Sequence, residues 1–122
     1  MIATTIDDVK SIDTISINGM TRKLVIGPSI ESNEIVLRVM NLDRGCATPL
    51  HSHPFPHIWK IEKGQGLLID QNNREESVIA GNYIFIKSNE PHSLRNNSEN
   101  NLEYLCFGTI DSENIKPCLI KN

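Results

Sequence analysis

Residues 51–57 read His51-Ser52-His53-Pro54-Phe55-Pro56-His57 and contain three of the four histidines in this chain of 122 residues. The fourth is His92. A neutral imidazole is the commonest metal ligand among side chains. In an extended strand, residues two apart point to the same side, so His51 and His53 project together. The stretch therefore predicts a metal site.

The residues around these histidines indicate how all four can meet. Proline donates no backbone hydrogen bond, so Pro54-Phe55-Pro56 predicts a turn that brings His57 back beside the first pair. His92 follows a second turn, Asn89-Glu90-Pro91. A lone His-x-His pair would be read as two surface histidines on a strand. Here a third histidine within four residues, and a fourth after a second turn, favour convergence at one end of a β-barrel.

Short apolar or alternating runs that end in Gly, Asn, Pro or Ser recur along the chain and predict many short strands. Helical periodicity is hard to find. The predicted strands are Ser11 to Ile17, Arg22 to Ile26, Glu34 to Leu42, His57 to Glu62, Leu67 to Asp70, Glu75 to Ala80, Tyr83 to Ile86, a segment around His92, and Leu102 to Ile110. In the third run, alternation puts Ile35, Leu37 and Val39 on one face.

Evenly spaced short strands indicate one all-β domain over residues 1–122, a sandwich or an antiparallel barrel. Residues 34–110 form the predicted barrel core. Residues 1–30 are less regularly punctuated, and we expect them to lie over a sheet edge or against a partner subunit in a homodimer. Residues 111–122 are predicted to be a polar tail packed loosely on the outside. The Asn18-Gly19 pair predicts a tight turn.

Composition excludes several classes of partner. The formal net charge of −3 argues against a nucleic-acid partner, which requires a basic face. No run approaches the roughly 20 apolar residues of a membrane helix. The N-terminus lacks the pattern of a signal peptide, so a cytoplasmic protein is expected. Cys46, Cys106 and Cys118 are widely spaced, and we interpret them as reduced thiols.

Two motifs resemble those of the cupin superfamily. Gly45, five residues, His51-Ser52-His53, three residues, His57, six residues and Gly64 is similar to the first cupin motif. Gly81, His92 and Asn96 match the second motif in place, whereas Lys87 and Asn89 stand where that motif has proline and glycine. The resemblance implies a conical β-barrel, the jelly-roll-like double-stranded β-helix, with a metal held by motif histidines.

One position departs from the first cupin motif and limits the resemblance to a subgroup of the family. His57 and Ile58 stand where the first motif usually has glutamate, and Glu62 is too far along to replace it. The chain therefore resembles small single-domain cupins (monocupins) of the four-histidine type, which implies His51, His53, His57 and His92 as ligands. The same resemblance favours manganese as cofactor, and imidazole also suits Fe, Ni, Cu, Co and Zn. Four neutral imidazoles would leave the +2 charge of the ion uncompensated and two of six positions open.

The walls of the pocket are less well defined. Trp59 shares alternation parity with His57 and is expected to face the cavity. Cys106, Phe85 and Arg38 are the other candidate pocket residues, although each is also compatible with a plain structural role. Arg38 and Arg95 are usually solvated, although either could meet a carboxylate substrate if it points inward, and Asn96 is expected to cap a turn.

Two functions remain open. The first is a metal-dependent oxygenase or related oxidoreductase acting on a small organic molecule, since a metal with open positions can hold substrate and dioxygen together. The second is a non-catalytic module that binds or senses a metal or small ligand. Sugar isomerase action is disfavoured because all four histidines are assigned to the metal. Substrate identity does not follow from the fold.

Overall fold

The computed structural model describes residues 1–9, 14–17 and 19–120. The first residues of the predicted strand Ser11 to Ile17, and Asn18 of the predicted turn, lie outside this range, as do residues 121 and 122. Gly19 of that turn has φ +80°, a backbone conformation that glycine adopts at little cost.

The described residues form strands almost throughout. The strands are β1 (Thr14–Ile17), β2 (Met20–Ile26), β3 (Ile35–Leu42), β4 (His51–Ser52), β5 (His57–Lys63), β6 (Gln65–Ile69), β7 (Glu75–Ile79), β8 (Tyr83–Ile86), β9 (Ser93–Arg95), β10 (Leu102–Thr109) and β11 (Cys118–Leu119). The helical elements are α1 (Asp111–Asn114) and two 3-10 turns, Ile6–Asp8 and Pro28–Ile30. The all-β prediction is confirmed, and the predicted strand positions agree closely with the observed ones.

Two groups of antiparallel strands build the barrel. Within the described chain, six strands form a large sheet in the order β1-β2-β3-β10-β5-β8. Opposite it lies a smaller sheet, β7-β6-β9, and β4 pairs with β11. A bridge between His51 and His92 joins β4 to the start of β9, with backbone N–H···O distances of 3.1 and 2.9 Å. The two halves of the histidine set therefore meet where β4 lies beside the start of β9.

The alternation of side chains along the central strands β3 and β10 determines which residues face the interior of the barrel. On β3 the buried residues are Val36, Arg38, Met40 and Leu42, so the face predicted from Ile35, Leu37 and Val39 is the outer one. On β10 the inward residues are Leu102, Tyr104, Cys106 and Gly108. The hydrophobic core includes Leu42, Ile61, Leu94 and Leu102, which are fully buried beside these strands. Burial of such side chains stabilises the fold by roughly 1.5–3 kcal/mol each.

The C-terminal segment differs from the loose tail predicted for residues 111–122. Through its described part it forms α1 and then β11, in which Cys118 and Leu119 pair with Ser52 and His51. The segment is polar and its elements are short, which is why its sequence carries no alternation signal. It nevertheless lies directly beside the histidine stretch.

None of the helices in the described ranges is long and apolar enough to cross a membrane.

Candidate metal centre

Three histidines come together in the described chain. His51, His53 and His92 each offer a ring nitrogen, and these atoms all lie within 4.8 Å of one another. His51 and His53 project to the same side of the extended segment that begins at β4. The bridge to His92 completes the group from the neighbouring strand. Two separate sequence motifs are thus joined by one backbone pairing.

The orientation of the three rings is fixed by the backbone. In each, Nδ1 lies within hydrogen-bond distance of a carbonyl oxygen two residues away. The acceptors are Pro49 at 2.7 Å, Phe55 at 3.0 Å and Glu90 at 2.8 Å. A carbonyl only accepts, so Nδ1 carries the hydrogen and Nε2 keeps its lone pair.

The free Nε2 atoms fit a metal ion. Among the described residues, the buried Nε2 of His92 has no hydrogen-bond partner, which is costly unless a ligand satisfies it. Histidines that hold a metal characteristically donate their other ring N–H to a carbonyl or carboxylate, as these three do. The donor set and its supporting hydrogen bonds therefore match those of a metal centre.

His57 stands beside this group but outside its 4.8 Å limit. It opens β5, and its ring centroid lies 4.2 Å from that of His53. Its Nε2 is also buried and without a partner in the described structure. The ring packs against Gly108, where an added Cβ would lie 3.0 Å from Cδ2 of His57. The four-histidine ligand set stays a prediction.

Burial favours the neutral form of three of the imidazoles. Burial is the main cause that lowers the pKa of His53, that of His57 to about 3 and that of His92 to about 4. The nearby charge of Arg38 contributes to lowering the pKa of His53 and His57. Neutral imidazole is the form that binds metal, so no proton has to leave these rings near pH 7.

His51, His53 and His57 line a cavity of about 160 Å³. One cross-strand row of its wall is made by Arg38, Cys106 and Trp59, which are register partners on β3, β10 and β5. These are three of the four residues that sequence reasoning assigned to the pocket. All three are at least 96% buried, with relative exposures of 3, 4 and 4%.

Phe85, the fourth predicted pocket residue, does not line this cavity. Its side chain is 61% exposed because Ile84 and Ile86 take the inward positions of β8. Tyr83 and Phe107 likewise lie outside, 74 and 40% exposed, whereas Phe55 is buried beside His53. Arg95 is exposed on β9. Asn96 caps a turn as expected, since its side chain bonds Ser98 and the carbonyl of Asn100.

A larger groove of about 880 Å³ lies between β7 and β8 and is open to solvent. Its wall includes His92. His51 and His53, the other two members of the candidate metal centre, line the smaller cavity together with His57.

Sequence reasoning missed the charged cluster beside the cavity. The carboxylate of Glu113 on α1 accepts hydrogen bonds from Nε of Arg38 at 2.7 Å and from Nη2 of Arg22 at 2.6 Å. Nη2 of Arg38 also donates to the hydroxyl of Ser112. The sequence carried one signal of this cluster. Arg38 has the same alternation parity as Val36 and Met40, which are buried, and a buried arginine requires a hydrogen-bonded or charged partner.

Two further wall residues stay protonated. Tyr104 packs against Trp59 with ring centroids 4.8 Å apart, and burial raises the pKa of its phenol. Burial also raises the pKa of the Cys106 thiol, although Nη1 of Arg38 lies 3.7 Å from its sulfur. Both groups are therefore neutral near pH 7.

Solved structures share this fold. The polyketide cyclase RemF of Streptomyces resistomycificus aligns with TM-score 0.84 at 21% identity, over 100% of this chain and 87% of that one. A predicted oxalate decarboxylase of Thermotoga maritima aligns with TM-score 0.73 at 20% identity, over 98 and 100%. A cupin-2 domain of Rhodospirillum rubrum aligns with TM-score 0.74 at 21% identity, over 93 and 71%. At such identities the likeness concerns the fold alone.

Comparison by sequence identifies the family. No curated protein matches the chain. The family model described as Cupin domain matches residues 38–108, which is more than half of the chain and includes every histidine. The conical barrel, the paired motifs and this match lead to one conclusion: the chain belongs to the cupin superfamily.

Proposed function

We propose that this protein is a metal-dependent oxygenase or related oxidoreductase that acts on a small organic molecule. The observation that carries the proposal is the convergence of His51, His53 and His92, whose ring nitrogens lie within 4.8 Å of one another, beside a small cavity that the first two of them line. His51, His53 and His92 would hold the ion, with His57 as the fourth ligand. Manganese is the proposed metal, and Fe, Ni, Cu, Co and Zn are the other ions that imidazole suits.

The remaining wall residues favour chemistry supplied by a metal. When bound, a divalent ion provides Lewis acidity and, if redox-active, electron transfer to or from the substrate. The chain's own titratable wall groups are less suited to proton transfer, because burial raises the pKa of Tyr104 and Cys106 and lowers that of His53 and His57, which makes them weak acids and weak bases respectively. Their role would be to shape the cavity and to limit the access of water.

The reduced state of the thiols supports a cytoplasmic location, which we propose for the protein. Cys46, Cys106 and Cys118 are all free in the described structure. Disulfides are rare in the reducing cytoplasm and common outside it.

Metal analysis of protein purified without added metal tests the first step. We expect about one transition-metal ion per chain, with manganese preferred when ions compete. His92→Ala should lose the metal, since it removes a buried ligand whose ring has no other partner for Nε2. Asn97→Ala, an exposed change a few residues along, is the matched control and should keep it.

Oxygen consumption tests the second step. The loaded protein is screened with small keto acids, phenols and thiols, and His92→Ala serves as the negative control. Turnover lost in that variant supports the oxygenase. A metal-loaded protein that binds such molecules but consumes no oxygen would support the non-catalytic binding or sensing module instead. Protein that binds no metal would overturn both the enzyme and the assignment of the histidines as ligands.

A further inference from the structure

The cavity wall carries an imbalance of charge. Its lining includes Arg22 and Arg38 but no aspartate or glutamate from the described part of the chain. A ligand in this cavity therefore meets two guanidinium groups and no carboxylate among the described residues of the cavity wall.

One carboxylate, that of Glu113, pairs with both arginines. It contacts Arg38 at 2.7 Å and Arg22 at 2.6 Å, and it is largely buried. Two cations and one anion leave this cluster with a net charge of +1. In addition, Nε of Arg22 is buried and has no hydrogen-bond partner among the described residues. The cluster therefore has one uncompensated positive charge and, within the residues described, one N–H donor without a partner, and an anion can interact with both.

The carboxylate belongs to the segment that covers the cavity. Glu113 lies on α1, and Ser112, Ile115 and Pro117 of the same segment line the cavity. Beyond them, β11 pairs with β4 at Ser52 and His51. The contacts of Glu113 with the arginines thus hold a cover over the histidines, and a ligand that takes over those arginines loosens the cover.

The dimensions limit what the ligand can be. A cavity of about 150 Å³ in another protein holds a molecule the size of benzene, and this one is about 160 Å³. Arginine binds carboxylates through parallel N–H donors, and such charge-assisted bonds are stronger than neutral ones.

We propose that Arg22 and Arg38 form an anion subsite for the carboxylate of a small organic acid, and that Glu113 is the internal ligand with which this acid competes. The proposal rests on the proposed function in that it names the substrate class of the same cavity. The subsite itself consists of side chains of this chain, so anion binding there does not require a bound metal.

Calorimetric titration of chelator-treated protein with pyruvate tests the subsite. Glu113→Gln removes the competing charge and keeps the size of the side chain. We expect this variant to bind pyruvate about tenfold more tightly than the unmodified chain, the equivalent of one charge-assisted hydrogen bond. Glu99→Gln is the matched control, because Glu99 pairs at 2.9 Å with Arg44 in a fully exposed ion pair. It should leave the affinity unchanged.

Two further arms keep the test decisive. Pyruvamide, the neutral counterpart, should bind Glu113→Gln no better than the unmodified chain. Arg22→Gln, at a side chain that is 25% exposed, should weaken pyruvate binding in either background. Equal pyruvate affinity in Glu113→Gln and the unmodified chain would overturn the proposal. If Glu113→Gln does not fold, an unchanged affinity of Arg22→Gln for pyruvate would also overturn the proposal.

The two proposals fail separately. Absence of metal from the purified protein counts against the enzyme and leaves the pyruvate titration to decide on the subsite. Loss of the pyruvate effect in a protein that still binds metal counts against the subsite alone.

Discussion

Asn96 ties the end of β3 to the turn of residues 96–100 from a fully buried position. Its Nδ2 donates to the carbonyls of Leu42 and Asn100 at 3.0 and 2.7 Å, and its Oδ1 accepts from the backbone N–H of Ser98 at 3.0 Å. Removing the amide would take one hydrogen bond from each of these groups. The asparagine of the second motif therefore has a structural role.

We predict that Asn96→Ala lowers the free energy of unfolding by about 2–3 kcal/mol, because buried polar groups lose their hydrogen bonds. Urea unfolding followed by circular dichroism measures the change. The exposed neighbour provides the control, since Asn97→Ala should alter the free energy by no more than about 0.5 kcal/mol. Equal effects of the two substitutions would contradict this role for Asn96.

Neutral buried histidines also predict how stability depends on pH. In the folded metal-free protein, the pKa values of His57 and His92 are lowered from 6.5 to about 3 and about 4. In the unfolded chain they return to about 6.5, so below that pH the unfolded state binds more protons. Their contribution to stability is full above pH 6.5 and is lost as the pH falls towards 3.

Chelator-treated protein should therefore unfold at lower urea concentration at pH 5.5 than at pH 7.5. Few carboxyl groups titrate in this range, so the histidines dominate the difference. His57→Gln should reduce the dependence because one titrating group is removed. A midpoint that is the same at both pH values would show that the histidines are not buried in the metal-free protein.

At the scale of the elements, β10 and β5 pack closely against each other at His57. Gly108 occupies an inward position of β10, where a side chain would meet the imidazole. An alanine Cβ there would lie 3.0 Å from Cδ2 and 3.4 Å from Nε2 of His57. The absence of a side chain on one strand thus sets the position of a ring on the next.

We predict that Gly108→Ala displaces the His57 ring and lowers metal affinity about tenfold, the lower end of the range for residues that position metal ligands. Competition with a metal-binding dye measures the affinity. Thr109→Ala, at the next and exposed position of β10, should have no effect. Unchanged affinity in Gly108→Ala would indicate that His57 is not a ligand, which His57→Ala would test directly.

Most strands could be predicted because each carries its own signal. Alternating residues followed by Gly or Asn mark β3, β5 and β10 in the sequence, and the same parity placed Trp59 on the cavity side. The parity of β3 alone left open which face is buried. That choice depends on the opposite sheet, which local sequence does not encode.

The contacts that complete the site could not be predicted in the same way. Glu113 meets Arg38 across 75 positions of the chain, from a helix of four residues with no amphipathic pattern. The fit of His57 against Gly108 depends likewise on the register of two distant strands. The histidine motifs, by contrast, are local patterns, and they led to three residues that the fold does bring together.

At the scale of the whole molecule, the outer face of the large sheet carries an apolar row. Leu37, Phe107, Ile58 and Phe85 are register partners across β3, β10, β5 and β8. Phe107, Ile58 and Phe85 are 40, 47 and 61% exposed. Contiguous exposed apolar patches on monomers usually mark interaction sites. The row is uncharged, so it can pack against the same row of a second chain related by a two-fold axis.

We therefore predict the homodimer expected from the sequence, with this row at its interface. Light scattering coupled to size-exclusion chromatography should give twice the mass of the chain. Phe85→Lys should yield a monomer with unchanged metal content, because Phe85 lies outside the cavity. Asn97→Lys, an added charge at an exposed site elsewhere, is the control. A monomeric unmodified protein, or metal loss in Phe85→Lys, would contradict this prediction.

Strand β10 lies between β3 and β5 in the large sheet, although it follows both by many residues in the chain. During synthesis, every histidine emerges from the ribosome before the strand that joins these two neighbours. The barrel cannot close until Thr109 is available, so its folding depends on distant pairings that form last. Folding dominated by such pairings takes on the order of milliseconds to seconds. Because β10 places Gly108 against the ring of His57, we expect the candidate metal site to be complete only after this strand has paired.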